Sequence, residues 1–211
     1  MQMALSSSIM VYPLSADLTF NNRFQDVQVQ NSGSDIAYVA ISIYRVNHPG
    51  MPDQSFTMLE DNPYQVGLIV TPSKMIIPAG QFRIARILYI GKPVTSDVAY
   101  EVKFTPVAGA LVPVGNSTLS AGIELVVAYG VSILVRPVNL SPHLIATREG
   151  KALSLQNTGN TTVTLENCLP DKNLIAQLYP GNTFHYTLTT ASPQTCVEEV
   201  LQEQFSSFKI N

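Results

Sequence analysis

Apolar and polar residues alternate along most of this chain with a period of two. FQDVQVQN at 24–31 places Val27 and Val29 on one face and glutamines on the other. AYVAISIYRV at 37–46, QVGLIVTP at 65–72, FRIARILYI at 82–90 and AYEVKFTPV at 99–107 are rich in β-branched and aromatic residues. GIELVVAYGVSILVRP at 122–137, KALSLQN at 151–157 and TTVTLENC at 161–168 follow in the same style. Turn signals separate them: Asn21-Asn22, Ser32-Gly33-Ser34, Pro49-Gly50, Pro78-Ala79-Gly80, Gly159-Asn160 and Pro180-Gly181. Short alternating strands between such turns predict an all-β sandwich architecture. Only VEEVLQEQF at 197–205 carries a helix-like spacing, and it also reads as an edge strand with a polar outer face. No internal repeat is visible.

Pro137 and Pro142 bracket a short stiff stretch and suggest a division there. Residues 1–137 are long enough for an immunoglobulin-like sandwich. Residues 138–211 make a smaller sandwich with a limited core. Cys168 and Cys196 are the two cysteines of the chain. They fit one disulfide in an oxidising compartment, worth ~2–4 kcal/mol to a small domain, or else two buried free thiols in the cytosol.

Composition then excludes several classes. The chain has 211 residues, 45% of them hydrophobic and 13% charged, with a net charge of -3. That is too apolar for a disordered chain and lacks the basic excess of a nucleic-acid binder. No apolar run reaches the ~18 residues of a membrane-spanning helix. The opening MQMALSSS is too short and polar for a signal peptide, as expected of a mature chain. GxSxG, HExxH, P-loop and GxGxxG patterns are missing, and His48, His143 and His185 share no metal-ligand spacing. Glu101 and Glu124 sit inside alternating strands, where they read as solvent-facing. The expectation is a protein that is not an enzyme and uses no cofactor or metal. GNST at 115–118 and NTT at 160–162 match the short glycosylation pattern, which is frequent by chance.

One segment exceeds the needs of a sandwich. From 119 to 129 one face carries Leu119, Ala121, Ile123, Leu125, Val127 and Tyr129. With its continuation to 135 the run would extend roughly 50 Å at about 3.3 Å per residue, longer than a strand of this domain. Two readings stand. It is an apolar edge strand kept for a partner by β-strand addition, or a central core strand broken by Gly130.

The ordered set of segments resembles the periplasmic pilus-assembly chaperones, two-domain immunoglobulin-like partners of outer-membrane ushers. IMVYPLSADL at 9–18 looks like their first strand, and VQVQNSGSDIAYVAISIYRV like their second and third. GLIVTPSKMIIPAGQFRIARILY is similar to their Thr-Pro, Pro-x-Gly and Arg signature. SDVAYEVKFTPV resembles the next strand, and LVVAYGVSILVRP the long donor strand ending in Arg-Pro. LSLQNTGNTTVTL and LYPGNTFHYTL resemble pieces of the second domain.

The resemblance implies two sandwich domains at an angle, located in the periplasm of a Gram-negative bacterium. It implies binding of pilin subunits by donor-strand complementation, delivery to an usher, no nucleotide, and self-association of the free protein through the donor strand. The donor residues carried over are Ile123, Leu125 and Val127, with Leu119 and Ala121 extending the row. The family's carboxylate anchor, an Arg and a Lys, aligns here with Ile9 and Ser132, neither of which is a cation. This departure resembles the alternative and archaic branches. A displaced anchor would use Arg86, Arg83 or Lys74. Arg86 shares its alternate face with Phe82, Ile84, Leu88 and Ile90, so it should be paired, with a partner's carboxylate or internally with Asp97 or Glu101. Arg136 of Arg-Pro and Asp97 align with an interdomain ion pair whose third, acidic member is not identifiable. Two other classes stand beside this one. A pilus subunit or surface adhesin module would carry a longer N-terminal extension than residues 1–8. A sugar-binding sandwich is weakened by the absence of Trp.

Overall fold

The computed structural model describes residues 8–59, 67–107, 127–166, 176–187, 194–200 and 204–210. Every regular element among them is a strand. In chain order they are β1 (Ile9–Tyr12), β2 (Ser15–Leu18), β3 (Phe24–Asn31), β4 (Ala37–Asn47), β5 (Ser55–Met58) and β6 (Leu68–Thr71). Then come β7 (Lys74–Ile77), β8 (Phe82–Tyr89), β9 (Val98–Pro106), β10 (Tyr129–Val135), β11 (Leu144–Glu149) and β12 (Ala152–Asn157). The last are β13 (Val163–Glu166), β14 (Ala176–Leu178), β15 (Thr183–Thr187), β16 (Gln194–Val200) and β17 (Gln204–Ile210). The described part of the helix-like window at 197–205 is strand. Its two ends lie on β16 and β17, which pair antiparallel with Val200 opposite Gln204.

The chain packs as two compact units. The first comprises Met1–Arg45, Phe56–Lys92 and Ala99–Leu134; the second comprises Val46–Ser55, Pro93–Val98 and Val135–Asn211. In the first unit one sheet has the order β1-β3-β8-β6 and the other β2-β10-β9-β4-β5, with β7 also on β4. The period of two decides what each strand buries. Val27 and Val29 of β3, Ala85 and Ile87 of β8, Val102 and Phe104 of β9, and Val131 and Ile133 of β10 form the core. A buried side chain of this kind contributes about 1.5–3 kcal/mol. In the second unit the orders are β11-β12-β15 and β14-β13-β16-β17, around Leu153, Leu155, Val163, Leu165 and Leu178. Both units are immunoglobulin-like sandwiches of an all-β chain.

A repeat that the sequence pattern conceals is plain in the hydrogen bonds. In the first unit buried Asn31 donates through Nδ2 to Asp35 O (2.6 Å) and Ile77 O (2.9 Å) and accepts from Gly33 N (2.9 Å). In the second unit buried Asn157 donates to Thr161 O (2.8 Å) and Leu178 O (2.7 Å) and accepts from Gly159 N (2.9 Å). The main chain of each is held the same way, Asn31 by Gly80 and Gln81, Asn157 by Gly181 and Asn182. The shared signature is only Gln-Asn-x-Gly followed later by a Pro and a Gly, too short to register as a repeat. It ends one strand and turns the chain into the next by giving otherwise orphaned carbonyls a donor.

Candidate partner-binding strand and its surroundings

β10 lies between β9 and β2 in the second sheet, and its Ser132 N donates to Leu14 O (2.9 Å). With Val131, Ile133 and Val135 buried, this part of the long apolar segment is a core strand of the protein itself. Gly130 does not break it. Gly130 sits inside β10, and a Cβ there would lie 3.0 Å from Glu101 Cδ and Oε1, so its lack of a side chain makes room for the Glu101 carboxylate. The character changes just before β10. Val127 is 53% exposed. The other four donor candidates, Leu119, Ala121, Ile123 and Leu125, lie outside the described residues.

The positions aligned with the expected carboxylate anchor are unsuited to it. Ile9 is 2% exposed and packs in the core, and Ser132 is a neutral surface residue. Arg86 differs from expectation in its surroundings and its partner. Its face of β8 is the outer one, where Phe82 and Ile84 are exposed, and its partner is Asp26 rather than Asp97 or Glu101. The register of β3 and β8 puts Asp26 opposite Arg86, a pairing that only the fold reveals. Arg86 Nε and Nη2 each lie 2.7 Å from an Asp26 carboxylate oxygen, and the guanidinium sits 4.5 Å over the Phe24 ring. Hydrogen bonding from Arg86 holds the Asp26 carboxyl below the usual carboxylate range. Both side chains are partly exposed, so the pair itself adds little stability. Met10, Tyr12 and Phe24 are exposed on strands of the same sheet. Arg83 is exposed and donates to Phe82 O (2.9 Å), and Lys74 is exposed at the start of β7.

Arg136 and Asp97 meet in the second unit. Arg136 Nη1 lies 3.2 Å from Asp97 Oδ2, with the two side chains 9% and 1% exposed. Two neutral threonines join the pair. Arg136 Nη1 donates to Thr161 Oγ1 (2.9 Å) and Thr162 O (3.3 Å), and Asp97 Oδ2 also accepts from Thr161 Oγ1 and Thr162 N. Threonines carry no charge by which a sequence could betray them as members of such a network. Burial pushes the Asp97 carboxyl above its ordinary value, with the Thr162 and Arg136 contacts acting the other way. Its second oxygen, Oδ1, has no hydrogen-bond partner among the described residues.

Cys196 lies on β16, in register with Phe208, and Cys168 lies outside the described residues. Among the described residues no group of three His, Cys, Asp or Glu side chains could hold a metal, and no helix is long and apolar enough to cross a membrane.

No protein-family model matches the chain. A CS1 fimbrial subunit of Escherichia coli is 24% identical over 195 residues, covering 84% of this chain and 79% of that protein. Among solved structures, the class 5 fimbriae chaperone CfaA superposes with a TM-score of 0.70 at 21% identity, over 96% of this chain and 98% of its own. A chain of the complex between the Salmonella enterica SafA pilin and the SafB chaperone gives a TM-score of 0.64 at 14% identity, over 99% and 98%. The likeness runs nearly the full length of both structures. The chain therefore has the fold of these fimbrial chaperones.

Proposed function

We propose that this chain is a periplasmic chaperone that holds pilin subunits by lending them a strand and passes them to an outer-membrane usher. The observation that carries the reading is the change at Val127. An exposed valine stands at the end of an apolar alternating row, and the strand that follows is locked between β2 and β9. A row anchored at one end by its own sandwich is suited to entering an incomplete sandwich at the other. Burying Ile123, Leu125 and Val127 in such a partner contributes roughly 5–9 kcal/mol gross, less the cost of association and ordering. The energy comes from apolar burial and strand pairing, so this function calls for neither catalysis nor a cofactor. Leu119 and Ala121 extend the row. Cys168 and Cys196 form the disulfide of the smaller domain, 138–211, as opposed to the larger domain, 1–137. Arg136 and Asp97 act at the passage between these domains.

The test is co-expression with a pilin from the same chromosomal neighbourhood. Leu125→Asp should abolish co-purification while leaving circular dichroism and melting unchanged; undiminished capture contradicts the proposal. A second reading, a fimbrial subunit, is favoured by the name of the Escherichia coli relative. Recovery of this chain from assembled surface fibres would establish it instead.

A further inference from the structure

Asn160 stands at a crossroads of the main chain. Its Nδ2 donates to Thr95 O (3.2 Å) and to Asn139 O (2.9 Å), while its Oδ1 accepts from Ser141 N (2.7 Å). Its own carbonyl accepts from Asp97 N (3.0 Å) and Ser96 Oγ (3.2 Å), and its N–H donates to Ser141 O (3.1 Å). One residue thus binds two stretches that are distant in sequence. Residues 95–97 lead directly into β9, and residues 139–141 follow directly from β10 through Arg136. Thr161 and Thr162, next in sequence, bind the same two stretches through Asp97 and Arg136. An amide side chain is the one group that fits. It must offer two donors to carbonyls and one acceptor to an N–H, which neither a carboxylate nor a hydroxyl supplies. The Asn-Thr-Thr triplet that matches a glycosylation pattern is a clamp, with the Asn160 amide engaged through both its nitrogen and its oxygen.

We infer that Asn160 is a positioning residue for partner capture. It fixes the C-terminal root of the lent strand and the segment entering the neighbouring strand β9. A strand offered to a partner must present its side chains in one register, because a slip by one residue turns the apolar row to the wrong face. The root at 136–141 belongs to no strand; Asp97, Thr161 and Thr162 hold it at Arg136, and Asn160 holds it at Asn139 and Ser141. This inference rests on the chaperone reading, and the experiment separates the two.

In the free protein, hydrogen exchange is measured by mass spectrometry for wild type and for Asn160→Ala and Asn160→Asp. Both substitutions should speed exchange at 95–98 and 136–141 at least tenfold, with β12 and β3 unchanged. Asn160→Asp should be the more severe, since it sets a carboxylate against the Thr95 and Asn139 carbonyls. Pilin capture should fall at least fivefold for both variants. Unchanged exchange at the two segments overturns the clamp. Faster exchange with wild-type capture, while Leu125→Asp still abolishes capture, overturns the positioning role and leaves the chaperone reading standing. Failure of the wild-type protein to capture pilins overturns the chaperone reading, and the positioning role with it, while the exchange data still decide the clamp.

Discussion

Replacing Asn157 by Ala removes a side chain that is wholly buried and makes three hydrogen bonds. Two of its bonds, to Thr161 O and Leu178 O, lie in the interior, and the third, from Gly159 N, is part-buried. A buried polar group left without its partner costs about 1–3 kcal/mol. Carbonyls have a second lone pair that neighbours partly serve, so the lower half of the range applies. Three such groups then give a loss of roughly 3–6 kcal/mol. That is a large share of the ~5–15 kcal/mol that stabilises a typical domain. The chain has no Trp and nine Tyr, so urea unfolding is followed by far-ultraviolet circular dichroism and tyrosine emission. The midpoint should fall with the slope unchanged, and the change should be confined to the transition of the second unit. Asn31→Ala should act on the first unit and cost less, since only its bond to Ile77 O is fully buried. Asn157→Asp should be worse than Ala, because a carboxylate would face two carbonyls. A loss under ~1 kcal/mol for Asn157→Ala, or an effect on the other unit's transition, would refute the account of these asparagines.

Arg86→Ala should leave the melting temperature of the free protein within about 1–2 °C, as partly exposed pairs contribute little. If Arg86 anchors a pilin carboxylate, the same change lowers pilin capture severalfold, and equal capture removes it as the anchor. For Asp97, burial raises the folded-state pKa above the unfolded value of about 3.9. Its contribution is therefore greatest below that pH and is lost as pH rises through the folded pKa. The stability of wild type minus that of Asp97→Asn should fall as pH rises above the ordinary carboxylate range, and a rising difference would contradict the sign. If Cys168 and Cys196 form the proposed disulfide, both resist alkylation in denaturant until a reductant is added; immediate labelling of both would show free thiols.

Much of the architecture is legible in the sequence because alternation is a local property. Val27 and Val29 announce the buried face of β3 from three or four neighbouring residues. Arg86 shows where that reasoning stops. Its alternate face is apolar by composition, yet Phe82 and Ile84 are exposed, because alternation tells which residues share a face and not which face looks inward. Its partner, sixty residues away, is set by the register of β3 against β8. The Arg136 network is half legible. Charges can be matched by sign, but the hydroxyl and carbonyl of Thr161 and Thr162 carry no sequence signal. The short strands β2, β5 and β7 escape the pattern for a related reason. Each has four residues, too few to establish a period.

Strand lending requires the backbone of residues 119–127 to pair with a bound pilin. Amide exchange there, compared between the free protein and its purified complex with a pilin, reads that backbone directly. New ladder bonds to the pilin should slow exchange at alternate amides by at least a hundredfold, and equal rates in the two states would contradict strand lending.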